Sequence, residues 1–392
     1  MTEPTPHPAI ETAQKPPSVL CAAVFLACSW TWCIGMFFPV YLIGQFGWPG
    51  WIAFAIPNCI GAAMVGHCWR RPGASESFVA RHTGALRRFS EVTILFHWFF
   101  ILNLFSNGAG IAPGPWMTPG TGCVAVAAVA GLAWEYSRCR TRGWRWIGWG
   151  TAAVSGACIA CSLVLNPTGL IGLPDGYGSD PPAGLLYVIP ALVLGFLVCP
   201  HLDLTFHRVR RELQGAKGSG AFTASFAGVF PVLIGYTLLY ARVFLGGKLD
   251  LFVLIHIAFQ SAMTVGAHMR ELREQYARPL ARSTCWALVA VGAAATWGLG
   301  TLLALAPRSP LGYQLFMSAY ALVFPAWLLC EMGAASISRG RIIAIATIAA
   351  AGWFFWAGYM EHRSEMVPIG VGIVLAGAAI SRLLMVRAPA AR

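Results

Sequence analysis

The sequence is short of charge. Only 11% of its 392 residues are Asp, Glu, Lys or Arg, against about 25% in a soluble domain, so charge cannot coat a water-facing surface. Hydrophobic residues make up 57% and form long apolar runs from Ser18 onward. The runs lack the period-two alternation of a transmembrane barrel and read as spanning helices. The first residues, MTEPTPHPAIETAQKPP, lack the basic stretch, short apolar core and cleavage site of a signal peptide. Residues 1–17 read as a disordered tail. Carboxylates are missing from the centres of the runs: Glu91, Glu135, Asp203, Asp250 and Glu331 all lie near run ends, so no carboxylate relay across the membrane centre is expected. Of twelve cysteines, only Cys158 and Cys161 form a C-x-x-C, with no second pair. Cysteine is read as a small packing hydrophobe.

What is present is a series of about 12 apolar spans, over 18–44, 47–67, 90–110, 117–136, 145–166, 183–206, 221–244, 250–270, 283–306, 311–332, 341–360 and 366–386. With alternating spans, 23 of the 27 basic residues fall on the side of the N-terminus, and only Arg242, Lys248, Arg308 and Arg363 fall on the other. The positive-inside rule makes the basic side cytoplasmic and puts both termini there, in a cytoplasmic or inner membrane. The net charge of +12 is then an orientation signal and a match to anionic membrane lipid; a nucleic-acid partner is not expected.

Five spans are an odd number, so spans 1–5 (18–166) and spans 6–10 (183–332) would have opposite topology. The expected fold class is all-α, a polytopic membrane protein with a 5+5 inverted-repeat core over 18–332 and two further helices over 341–386. Two six-helix halves are the other layout. The first helix of each unit carries helix-weakening residues: Gly35 and Pro39 in the first span, Pro190, Gly195 and Pro200 in the sixth. Helix breaks are expected at Gly35, Pro39, Pro190 and Gly195, with Ser29 and Thr31 satisfying freed backbone. The alternative is that Gly and Pro are simply common in membrane helices.

The stretch SWTWCIGMFFPVYLIGQFGWPGW, with its Gly35-to-Gly47 segment, and the stretch CPHLDLTFHRVRREL resemble the first and sixth core helices of the sodium:solute symporter family and the wider amino acid–polyamine–organocation superfamily. The resemblance covers roughly spans 1, 2, 6 and 7. It implies a secondary transporter, with Asp203 and Arg208 closing the sixth core helix. It also implies a sodium ion between spans 1 and 8, the one possible cofactor. Carbonyls of Phe25 and Cys28 would face Ala258, Ser261 and Thr264 on span 8. Ala262 stands where the family carries a second hydroxyl, and Thr264 would substitute for it.

Ser29, Trp30, Thr31, Trp32, Asn103, Asn107, His256 and Gln260 are the candidate substrate-binding residues, because they are polar or aromatic and deep in the runs. Each has a plainer reading: tryptophans that pack, amides that join helices, a neutral hydrogen-bonded histidine, and Ser261 and Thr264 bonding their own helix. The expected function is a sodium- or proton-coupled symporter of a small neutral or zwitterionic solute, and not an enzyme. One alternative is a membrane redox protein with haem or metal on His97 or His256. No His-x-x-His or Glu-x-x-His pair lies within a span to support it. The other is a transporter-like scaffold that senses and does not transport.

Overall fold

A computed structural model describes residues 16–108, 116–139, 141–165, 182–248, 250–275, 311–332, 334 and 336–386. Every regular element among them is helical. In chain order they are α1 (Val19–Trp30), α2 (Cys33–Phe46), α3 (Trp48–Cys68), α4 (Ala74–Arg81), α5 (Thr83–Asn107), α6 (Pro119–Arg138), α7 (Thr141–Leu165) and α8 (Pro182–Val198). A 3₁₀ turn, Cys199–Leu202, leads to α9 (Leu204–Glu212) and α10 (Gly215–Ala224). A π turn, Ser225–Val229, joins α10 to α11 (Phe230–Leu245). Then come α12 (Leu251–Gln275), α13 (Leu311–Met332), α14 (Ile337–Met360) and α15 (Val367–Val386).

Eight of these segments are long and apolar enough to cross a membrane, or nine if the bent pair α1–α2 counts as one crossing. The structure thus supports fewer crossings among the described residues than the twelve expected. Helices α6 and α13 fall short of that standard, and the run 283–306 lies outside the described residues. The outer faces carry exposed apolar side chains, among them Ile56, Val124, Val164, Leu186, Ile342 and Leu383. In water such a surface would drive aggregation; in a bilayer it faces lipid. The chain is an integral membrane protein of the polytopic helical kind.

The core gathers around α1 and α2. Helix α1 packs on α7, α10 and α12, while α2 packs on α3 and α11. Helix α8 packs on α3 and α13, α12 on α5, α6 and α7, and α13 also touches α5. Helices α14 and α15 pack on each other and on α13. Two glycines of α3 set its approach. A Cβ on Gly61 would stand 1.9 Å from the Phe196 carbonyl oxygen, and one on Gly66 2.4 Å from the Phe222 Cβ.

The helix breaks differ in position from those expected. Gly35 and Pro39 lie inside α2, which runs unbroken through both; the interruption is at Thr31–Trp32, where the chain bends by 60°. Pro39 removes the donor for the Gly35 carbonyl, and the Tyr240 hydroxyl donates to the neighbouring Met36 carbonyl, so the helix is held there by a second element. Helix α8 likewise runs through Pro190 and Gly195. Its interruption is at Cys199–Asp203, where Pro200 leaves the Phe196 carbonyl without its helical donor and Asp203 is ready to cap a new helix.

Candidate functional site

Side chains build the first break. Thr31 has φ −76° and ψ 70°, and the Trp32 amide donates to the Trp30 carbonyl at 2.8 Å, an inverse γ-turn. The last carbonyls of a helix have no donor within it. Here Ser29 Oγ donates to Leu26 O at 3.1 Å, Thr31 Oγ1 to Ala27 O at 2.7 Å and Trp32 Nε1 to Ser29 O at 2.9 Å. At the start of α2 the Cys33 amide donates to His97 Nε2 at 3.3 Å, and His97 Nδ1 lies 2.7 Å from the Thr93 carbonyl. A nitrogen that accepts cannot carry a proton, so His97 is the neutral Nδ1–H tautomer. Both of its nitrogens serve backbone, which leaves neither free to ligate iron.

The second break is capped by Asp203. Its Oδ1 accepts the Thr205 amide at 2.7 Å, the bond of a helix N-cap. The two breaks meet. Thr205 Oγ1 donates to Ser29 Oγ at 3.3 Å, and the Trp30 and Phe206 rings lie 5.0 Å apart. Trp30 Nε1 donates to Asn58 Oδ1 of α3 at 2.7 Å. Trp32 sits between Trp30 at 4.7 Å, Phe89 at 5.3 Å, His268 at 5.7 Å, His97 at 6.1 Å and Tyr320 at 6.4 Å, ring centre to ring centre.

Asp203, expected near a run end and outside any relay at the membrane centre, is part of this cluster. It lies near the end of the 183–206 run, yet it is fully buried. Its Oδ2 faces His268 Nε2 at 3.8 Å, and neither atom has a hydrogen-bond partner among the described residues. His268 is also fully buried, with Nδ1 3.0 Å from Ser90 Oγ.

A second polar group joins α1, α7 and α12. His256 Nδ1 and Gln260 Nε2 each lie 2.9 Å from Ser155 Oγ. Gln260 Nε2 also lies 3.9 Å from Cys28 Sγ. Thr264 Oγ1 donates to the Cys28 carbonyl at 3.5 Å, and Ser261 Oγ is buried with no partner among the described residues. Of the five sodium-type positions, Cys28 and Thr264 are thus brought into contact and Ser261 faces the interior of the bundle. Phe25 packs its ring on Trp144 at 5.8 Å, and Ala258 is half-buried. Among the described residues no group of three His, Cys, Asp or Glu side chains converges as a metal cage. Asn103 is half-buried at the far end of α5, six residues or about 9 Å past His97, with Oδ1 unpartnered among the described residues. The backbone of Asn107 ends that helix.

The two ends of the bundle differ. On the basic face, Arg208 of α9 bonds both Glu271 and Glu274 of α12, with Glu212 at 3.6 Å. Arg211 lies 3.4 Å from Glu271, and Arg270 2.8 Å from Glu274. Burial opposes the Arg208 charge, but Glu271 and Glu274 outweigh it and hold the guanidinium above its ordinary value. The cavity beside this network is only about 30 Å³. On the opposite face, a cavity of about 150 Å³ opens between α2, α8, α13 and α14, lined by Phe38, Tyr41, Gln45, Met317 and Tyr359. Across it Gln314 Nε2 donates to the Tyr41 hydroxyl at 2.6 Å.

Sequence reasoning missed Asp203, His268, Ser90 and Tyr320 as parts of this site. One signal was available: Gln260, Thr264, His268 and Glu271 recur at helical spacing on one face of α12. No family model matches the chain, and no curated protein matches it.

Proposed function

We propose that this chain is a secondary active transporter of a small neutral or zwitterionic solute. In this reading it works by alternating access around the two helix breaks, with the basic face cytoplasmic. The observation that carries the reading is the meeting of two interrupted helices, Thr31–Trp32 and Cys199–Asp203, inside a buried polar and aromatic cluster. Membrane helices leave backbone unwound only where protein or a cavity satisfies it, and transporters use such points for binding.

The packing pattern supports an inverted repeat. In a 5+5 repeat, α1–α2 pairs with α8–α9, α3 with α10–α11, α5 with α12, and α7 with α13; the mate of α6 would be the run 283–306, outside the described residues. Contacts should then come in pairs. The α1–α7 contact has its counterpart in α8–α13, the packing of α1 and α2 on α10 and α11 in α8 on α3, and α12–α7 in α5–α13. Contacts that map onto themselves, α3–α10 and α5–α12, are present too. With α14 and α15 appended, this reading has twelve crossings, one of them the run 283–306 outside the described residues. Ion pairs closing the basic face and the larger cavity on the opposite face suit a carrier open to one side at a time.

The test is uptake into proteoliposomes of a panel of labelled amino acids and sugars, under sodium and proton gradients. Saturable, gradient-driven accumulation of one class supports the reading. Saturable ligand binding without flux for any gradient would instead support the sensor-like alternative.

A further inference from the structure

We propose that Asp203 and His268 form a proton-binding site and that this site couples transport to a proton gradient; the inference rests on the transporter reading above. The geometry is that of a pair awaiting a proton. Two fully buried groups from distant segments turn one atom each toward the other, Oδ2 to Nε2, at 3.8 Å. That is beyond an N–H···O bond, and each atom lacks any other partner among the described residues. Capping of α9 uses only Oδ1 and does not explain Oδ2. An ionised carboxylate alone at such a site costs several kcal/mol. A proton taken up on Nε2 offsets part of that cost, because imidazolium then faces carboxylate and the pair has net charge zero.

Other groups around the pair are already engaged or neutral. On α12, Glu271 is held by Arg208 and Arg211. On α5, His97 gives both nitrogens to backbone and Ser90 meets Nδ1 of His268. On the 3₁₀ turn, Cys199 donates to the Tyr320 carbonyl, and the Trp69 indole donates to His201 Nδ1. On α13, Tyr320 carries a buried hydroxyl without a partner among the described residues. It lies one turn from Met317, which lines the 150 Å³ cavity. Its ring lies 6.4 Å from that of Trp32, which also packs on His268. A sodium ion suits the gap poorly, since it takes oxygen ligands and one of the two facing atoms is an imidazole nitrogen. In one cycle, a proton from water on the cavity side joins Nε2. It crosses with the solute and leaves to water on the basic face, so nothing is oxidised or consumed. The empty, negatively charged pair is tolerable only when water reaches it, which ties proton loss to opening.

The experiment is a pH titration of tryptophan fluorescence on the full chain in detergent, without solute, because Trp32 lies against the His268 ring and imidazolium quenches indole. A step is expected that is lost in Trp32→Phe and His268→Gln and displaced in Asp203→Asn. The Asn variant preserves the cap and serves if His268→Gln fails to fold. A step unchanged in His268→Gln or in Asp203→Asn overturns the proposal. In proteoliposomes, accumulation of a labelled amino acid or sugar should follow an inward proton gradient and be lost in Asp203→Asn, with counterflow exchange retained. Accumulation driven by sodium at equal pH overturns the proton assignment. If nothing on the panel accumulates, the transport reading fails, while the titration still decides whether the pair binds a proton.

Discussion

Replacing Gly61 by alanine tests the helix crossing that supports the second break. The added Cβ would lie 1.9 Å from the Phe196 oxygen, 2.7 Å from its carbonyl carbon and 2.9 Å from the Leu197 Cα. All three are backbone atoms, so no rotamer change relieves the clash. Real Cβ contacts do not fall below 3.0 Å; α3 and α8 must therefore part by about 1 Å. Overpacking of this kind costs about 1–3 kcal/mol, offset by up to about 1 kcal/mol from the better helix propensity of alanine. Gly131→Ala is the control, because its Cβ would meet nothing within 4 Å and should be neutral or stabilising. Denaturant unfolding in mixed micelles should rank Gly61→Ala below wild type and Gly131→Ala at or above it. Equal stability for the two variants would refute the close approach of α3 to the Phe196 carbonyl.

Asn58→Ala should cost about 1–3 kcal/mol by leaving the buried Trp30 indole donor unpaired. Asn58→Leu combined with Trp30→Phe should recover most of that, because both polar partners are then gone. Arg208→Ala should cost about 3–5 kcal/mol, since Glu271 is buried and loses its main partner. In a variant whose only cysteine is Cys21, beside the small inner cavity, the same change should raise maleimide labelling; unchanged labelling would argue that the ion pairs close nothing. Membrane orientation is tested with an impermeant maleimide on intact cells. Exposed Cys68 on the basic face should react only after lysis, and Glu365→Cys on the opposite face should react before it.

What could be read from the chain follows how local each signal is. Apolar runs announce themselves over some twenty residues, and each run other than 283–306 falls on a described helix. That the first span is interrupted was legible, because Ser29, Thr31 and the two tryptophans are conspicuous in an apolar run. The position of the break was not. Gly35 and Pro39 looked weakest by propensity, yet propensity is a weak prior when a neighbouring helix intervenes. Tyr240 supports α2 there from about two hundred residues away. The same holds for Pro190 and Gly195, through which α8 runs unbroken.

By itself, then, the sequence determined the solvent this protein lives in and roughly where its long apolar helices lie, since low charge and continuous hydrophobicity act residue by residue. Tertiary structure alone decided what becomes of the polar groups. Asp203 stands at the end of an apolar run, where a carboxylate ordinarily meets water. It is instead enclosed because α1 brings Ser29 against Thr205, and α12 brings His268, held by Ser90 of α5, against its carboxylate; burial is a property of such convergence, not of position along a chain.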